Sequence, residues 1–177
     1  MSPQEIKARN LTKIYQALLK LLAETPLSDI SVSNLCRTAK VSRTYYYRNY
    51  HSFQEIIILY QTNMIKSYLR ALPHHTKIGF PTLMTIYFEL MKENADKTKL
   101  LINAGLVSTL VKTFSDVYHF LSSQKIISPV AVSNAYFVSY ISGAVIAVQI
   151  NWMNHGMKES PTEMGIILNN FFFSSVK

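Results

Sequence analysis

The side chains best suited to chemistry in this 177-residue chain lie in one run, Ile30-Ser31-Val32-Ser33-Asn34-Leu35-Cys36-Arg37-Thr38-Ala39-Lys40-Val41-Ser42-Arg43-Thr44-Tyr45-Tyr46-Tyr47-Arg48-Asn49-Tyr50. Hydroxyl, amide and guanidinium groups are suited to binding a phosphate backbone and base edges. Catalytic signatures are missing. The five glycines are scattered with no phosphate-cradling loop, and there is no His-Glu-x-x-His, paired-cysteine or serine-nucleophile pattern. The chain is therefore expected not to be an enzyme, with no catalytic residue, metal or cofactor. Cys36 is the single cysteine, which excludes an intrachain disulfide, and its place on an apolar stripe suits packing better than redox sensing. His74 and His75 are adjacent in a loop without a third ligand nearby and are expected to be solvated.

Charge points the same way. Through Pro73 the cations Lys7, Arg9, Lys13, Lys20, Arg37, Lys40, Arg43, Arg48, Lys66 and Arg70 face only Glu5, Glu24, Asp29 and Glu55, so most of the net charge of +8 falls in the first 73 residues. An excess of cations on a short segment favours a polyanion, because each neutralised phosphate releases condensed counterions. A solvated basic face is the plainer alternative. No basic start, apolar run and small-residue cleavage site follow one another at the N-terminus, so a soluble cytoplasmic protein is expected.

The elements that must position these groups are helices. Apolar residues at Ile6, Leu11, Ile14, Leu18, Leu21 and Leu22 recur at helical spacing over 3–23, and Thr25-Pro26 ends that helix. Ser31 and Ser42 cap two short helices, to Ala39 and about Tyr47, and Ser52 with Glu55 forms a capping box that opens a long fourth helix to about residue 72. Further helices are expected at 81–94, 96–104, 106–122, 129–155 and 161–173, with Gly105 and Gly156 at C-terminal caps and Ser160-Pro161-Thr162-Glu163 opening the last.

Within the run, Val32, Leu35, Cys36 and Ala39 form the inner stripe of one short helix, Lys40 makes a tight turn, and Val41 with Tyr46 closes the core. The next helix then projects Arg43, Thr44, Tyr45 and Tyr47 outward, as a recognition helix requires.

At these residues the chain resembles the TetR family of bacterial regulators. Val41-Ser42-Arg43, Tyr47-Arg48-Asn49-Tyr50 and Ser52 with Glu55-Ile56 carry the likeness, which covers residues 5 to 60. Tyr140 to Gly156 with Pro161-Thr162-Glu163 is similar to a C-terminal domain frequent in Gram-positive members. The resemblance implies an all-α fold: a three-helix helix-turn-helix head, residues 1–50, joined by a long fourth helix to a helical ligand-binding and dimerisation domain, residues 51–177. It implies a repressor that binds a palindromic double-stranded DNA operator as a homodimer and is released by a small-molecule inducer. The implied DNA-binding residues are Ser31, Ser33, Ser42, Arg43, Thr44, Tyr45, Tyr47, Arg48 and Asn49. Arg43 is either a reader of guanine or a phosphate clamp, and Tyr47 a phosphate contact or a packing residue. Two positions depart from the family: Lys40 replaces the usual turn glycine, and Phe53 a phosphate-binding lysine.

In the second half the candidate pocket residues are Tyr60, Met64, Met84, Tyr87, Met91, Phe114, Tyr118 and Tyr136, which suit an apolar or amphipathic inducer held between the fourth helix and the helices of 81–122. Ser139, Gly143, Ala144 and Ala147 are small enough for close helix approach at a dimer interface. The stretch 136–153 lacks a formal charge, yet its polar residues and the absence of flanking cations on one side favour a bundle or interface over a membrane span. Rival readings are a membrane-associated helical protein and a helical small-molecule binder without a DNA role.

Overall fold

A computed structural model describes residues 2–70, 78–127 and 135–173. His74, His75, most of the expected 73–81 loop and the expected start of the eighth helix at 129–134 lie outside the described residues. The described chain is all-α, with helices α1 (Pro3–Glu24), α2 (Val32–Ala39), α3 (Arg43–Asn49), α4 (Phe53–Arg70), α5 (Phe80–Glu93), α6 (Ala95–Asn103), α7 (Val107–Ser123), α8 (Ala135–Asn154) and α9 (Pro161–Phe173). A 3-10 turn at Leu27–Asp29 and an isolated parallel bridge from Ile78 to Ile127 complete it. Two compact units emerge, Met1–Leu69 with Lys99–Leu110 and Arg70–Thr98 with Val111–Lys177.

Local chemistry accounts for the helix ends. Ser31, Ser42 and Ser52 accept from the backbone N–H groups of Asn34, Tyr45 and Glu55 at 3.0–3.1 Å. Ser160 and Glu163 close a full capping box, as do Ser2 and Glu5, a box not foreseen from the sequence. At α4 the box differs from expectation: the Glu55 carboxylate accepts from the backbone N–H of His51 at 2.7 Å, one residue before the cap. That backbone hydrogen bond, helped by the His51 ring, holds the Glu55 carboxyl below its usual range. Gly105 and Gly156 take positive φ at their helix ends, as their positions require.

The first unit is organised on α1, which packs against α2, with α2 against α3. Ile14, Leu18, Leu35, Ile56 and Ile57 are fully buried, each contributing about 1.5–3 kcal/mol of transfer free energy as an upper estimate. The inner stripe is buried at Leu35, Cys36 and Ala39, and Tyr46 points inward as its helical phase demands. Tyr15 stacks on Tyr60 at 3.8 Å between centroids, and burial beside Tyr60 pushes its phenol well above the ordinary range.

Lys40 sits at φ 55°, ψ 45°, a left-handed conformation of the kind the family's usual glycine at this position implies. A side chain there costs about 1 kcal/mol relative to glycine. Lys40→Gly should therefore raise the stability of the protein by about that amount, read as a higher denaturant midpoint at unchanged slope. A lower midpoint would contradict a strained turn.

In the second unit α5 packs closely along α9. Gly165 makes this possible: a Cβ there would lie 2.6 Å from the Pro81 carbonyl oxygen and 2.5 Å from Thr85 Oγ1. Phe88 is fully buried, with edge-to-face contacts to Tyr87 and Trp152.

Candidate functional site

The strand-free head presents its polar groups through α3. On this short helix Arg43, Thr44, Tyr47 and Arg48 are exposed, an i, i+1, i+4, i+5 pattern that places all four on one side, while Tyr46 and the C-cap Tyr50 are buried beneath. Tyr47 is 59% exposed despite its ring meeting Tyr46 at 5.3 Å, so its hydroxyl end is presented to solvent. The N-cap hydroxyls of Ser31 and Ser42 accept from their own helices and keep their O–H protons to donate outward. Ser33 is exposed on the first turn of α2.

Two candidates are placed differently from expectation. Tyr45 is only half-exposed and its hydroxyl is buried, because the ring turns toward Tyr50 at 6.3 Å between centroids instead of projecting with Arg43. Asn49 is half-buried, and its amide donates to the Tyr45 carbonyl at 2.8 Å. Phe53 packs on Tyr46 at 6.4 Å, which explains an apolar residue at the start of α4.

The pocket candidates divide between the units. Tyr60 and Met64 are half-buried in the first, where Tyr60 is stacked on Tyr15. Met84, Met91, Phe114 and Tyr118 are buried in the second, whereas Tyr136 is 85% exposed. Tyr87 meets Phe114 edge-on at 5.3 Å, and its hydroxyl donates to Gln149 Oε1. Burial alone pushes the Tyr87 phenol far above its ordinary range, so it is neutral at any physiological pH. Gln149 was not singled out from the sequence; an isolated glutamine in an uncharged helix gives no local sign that it is buried.

Along α8, Tyr136, Ser139, Tyr140 and Ala147 are exposed and Gly143 and Ala144 half-exposed, while Val138, Ile141, Val145, Ile146, Trp152 and Met153 are buried. On α9 Ile166 and Phe171 are exposed. An open groove of about 430 Å³ is lined by Val148, Trp152, Met164, Ile167 and Phe171 together with the polar and charged Asn151, His155, Lys158 and Glu159. The segment 136–154 is long and apolar enough to cross a membrane, yet it buries one side within its own unit. Among the described residues no group of three or more His, Cys, Asp and Glu converges on a point.

No curated protein matches the chain. The crystal structure of Lin0861 from Listeria innocua is similar in fold, with a TM-score of 0.75 over 97% of this chain and 93% of that one at 12% identity. A TetR C-terminal family model, described as the C-terminal region of a transcriptional regulator, matches residues 81–174, just over half of the sequence. With the helix-turn-helix head ahead of that region, the chain belongs to the TetR family of transcriptional regulators.

Proposed function

We propose that the protein is a cytoplasmic repressor that binds a palindromic operator as a homodimer and releases it when a small apolar or amphipathic inducer binds. The observation that carries the DNA reading is the exposed quartet Arg43, Thr44, Tyr47 and Arg48 on the outer side of a helix whose inner side is locked by Tyr46 and Tyr50. Ser31, Ser33 and Ser42 contribute phosphate contacts, while the half-buried Tyr45 and Asn49 brace α3. In this reading residues 1–50 are the DNA-binding domain and 51–177 the regulatory one.

Electrostatics and shape support dimerisation through α8 and α9. No lysine, arginine or acid falls between Lys125 and Lys158, so α8 offers a chain of net charge +8 a neutral face on which two copies can meet. Ser139, Gly143, Ala144 and Ala147 let the helices approach there, and Tyr136, Tyr140, Ile166 and Phe171 gain burial that a lone subunit denies them. The same pairing assigns the apolar side of α8 to protein, not to a membrane.

Footprinting on the DNA upstream of the gene tests the reading. Two protected half-sites about 34–36 Å apart, with affinity falling steeply as salt rises, are the expected result. Binding that ignores sequence would leave only a basic helical protein.

A further inference from the structure

The core of the second unit holds a polar group that its own fold leaves poorly served. Gln149 is 1% exposed on α8. Its oxygen accepts from Tyr87, 62 residues away on α5, but among the described residues its amide nitrogen meets only the Met153 sulfur, at 3.6 Å. A primary amide carries two N–H donors, and a thioether is a weak acceptor. Turning the amide end for end would let one N–H donate to the Tyr87 oxygen, but the amide oxygen would then face the sulfur and the Tyr87 hydroxyl proton would lose its acceptor, so one polar group stays unserved either way. The Tyr87 ring meets Phe88 and Phe114 edge-on, and Phe88 meets Trp152, so the aromatic cluster that begins at this hydrogen bond carries no charge.

A buried donor without a good acceptor is unfavourable, and an apolar residue of similar shape would remove the penalty. We propose that Gln149 is the polar anchor of an effector site in this unit, and that the ligand is a neutral apolar molecule bearing a hydrogen-bond acceptor, such as a lactone, ester or ketone. The inference rests on the reading of the protein as ligand-released. The ligand oxygen takes the place of the Met153 sulfur, whose unbranched side chain re-packs readily, and its apolar body lies against the aromatic rings. A carboxylate is disfavoured because no cation among these residues would compensate its desolvation.

Trp152 is the single tryptophan and touches Phe88, so its emission reports binding in the intact protein. The experiment titrates γ-decalactone and, separately, decanoate. The lactone is expected to change the emission saturably and to bind at least tenfold more tightly than decanoate. Gln149→Leu should weaken lactone binding at least tenfold, and the Tyr87→Phe/Gln149→Leu double variant, in which no buried hydroxyl loses its acceptor, should do the same with a melting temperature equal to or above that of the wild type. If Gln149→Leu folds poorly because Tyr87 is then unpaired, the Tyr87→Phe/Gln149→Leu double variant takes its place. No saturable response of the wild type, equal binding by the leucine variant, or preference for decanoate would overturn the proposal.

Operator binding, measured in parallel, separates the two readings. Gln149-dependent lactone binding that is unaffected by operator would keep the anchor and remove the release mechanism. Lactone that releases operator equally from wild type and Gln149→Leu would do the reverse.

Discussion

Arg43→Ala is expected to abolish operator binding at concentrations that saturate the wild type, with the thermal midpoint nearly unchanged. Arg43 is exposed at the first turn of α3, so its truncation removes little packing from the head. A guanidinium that reads a guanine edge is worth about 1–3 kcal/mol, and a dimer loses it twice, which amounts to roughly thirtyfold to more than ten-thousandfold in affinity. The same variant distinguishes the two roles open to this residue. A base reader loses discrimination at one operator position, while a phosphate clamp weakens all sequences alike and lowers the salt slope by about 1 for each contact. Tyr47→Phe should cost less, about 1 kcal/mol per half-site for one lost hydrogen bond. Undiminished operator affinity in both variants would remove α3 from the interface.

In the proposed homodimer, Ala147→Arg should break the pairing and leave a monomer. Ala147 is exposed on α8 between Gly143 and Asn151, so a long side chain there leaves the subunit's own core intact. A two-fold interface brings the same surface of both copies together, and it would have to bury two like charges on a face that carries none in the wild type. Leaving a charge unpaired in such an interface costs several kcal/mol, more than a dimer of ordinary affinity can absorb. Sedimentation should report about 20.2 kDa in place of twice that mass. Operator affinity should fall by orders of magnitude, since one head then binds one half-site. A variant that still sediments as a dimer would move the interface away from α8.

The sequence by itself determined the helices and the logic of the head, because both depend on interactions within a few residues. Serine caps at Ser31, Ser42, Ser52 and Ser160 act on N–H groups three positions ahead, and the helical phase alone buries Leu35, Cys36, Ala39 and Tyr46. The tight turn at Lys40 was legible at the same range, while its left-handed backbone was implied only by the resemblance, which puts glycine there. Tertiary structure decided what distant segments do to each other. Tyr60, read as a pocket residue, stacks on Tyr15 of α1, a partner 45 positions away that no periodicity announces. Tyr45 and Tyr47 have the same local rank on α3, and only the rings packed beneath the helix turn one inward and leave the other in solvent. Met84, Tyr87, Met91 and Phe114 were picked out as aromatic and Met side chains, but an amphipathic pattern cannot name the polar residue that crosses to meet them. Gln149 does so because the fold lays α8 beside α5, and burial there gives an otherwise ordinary amide its consequence.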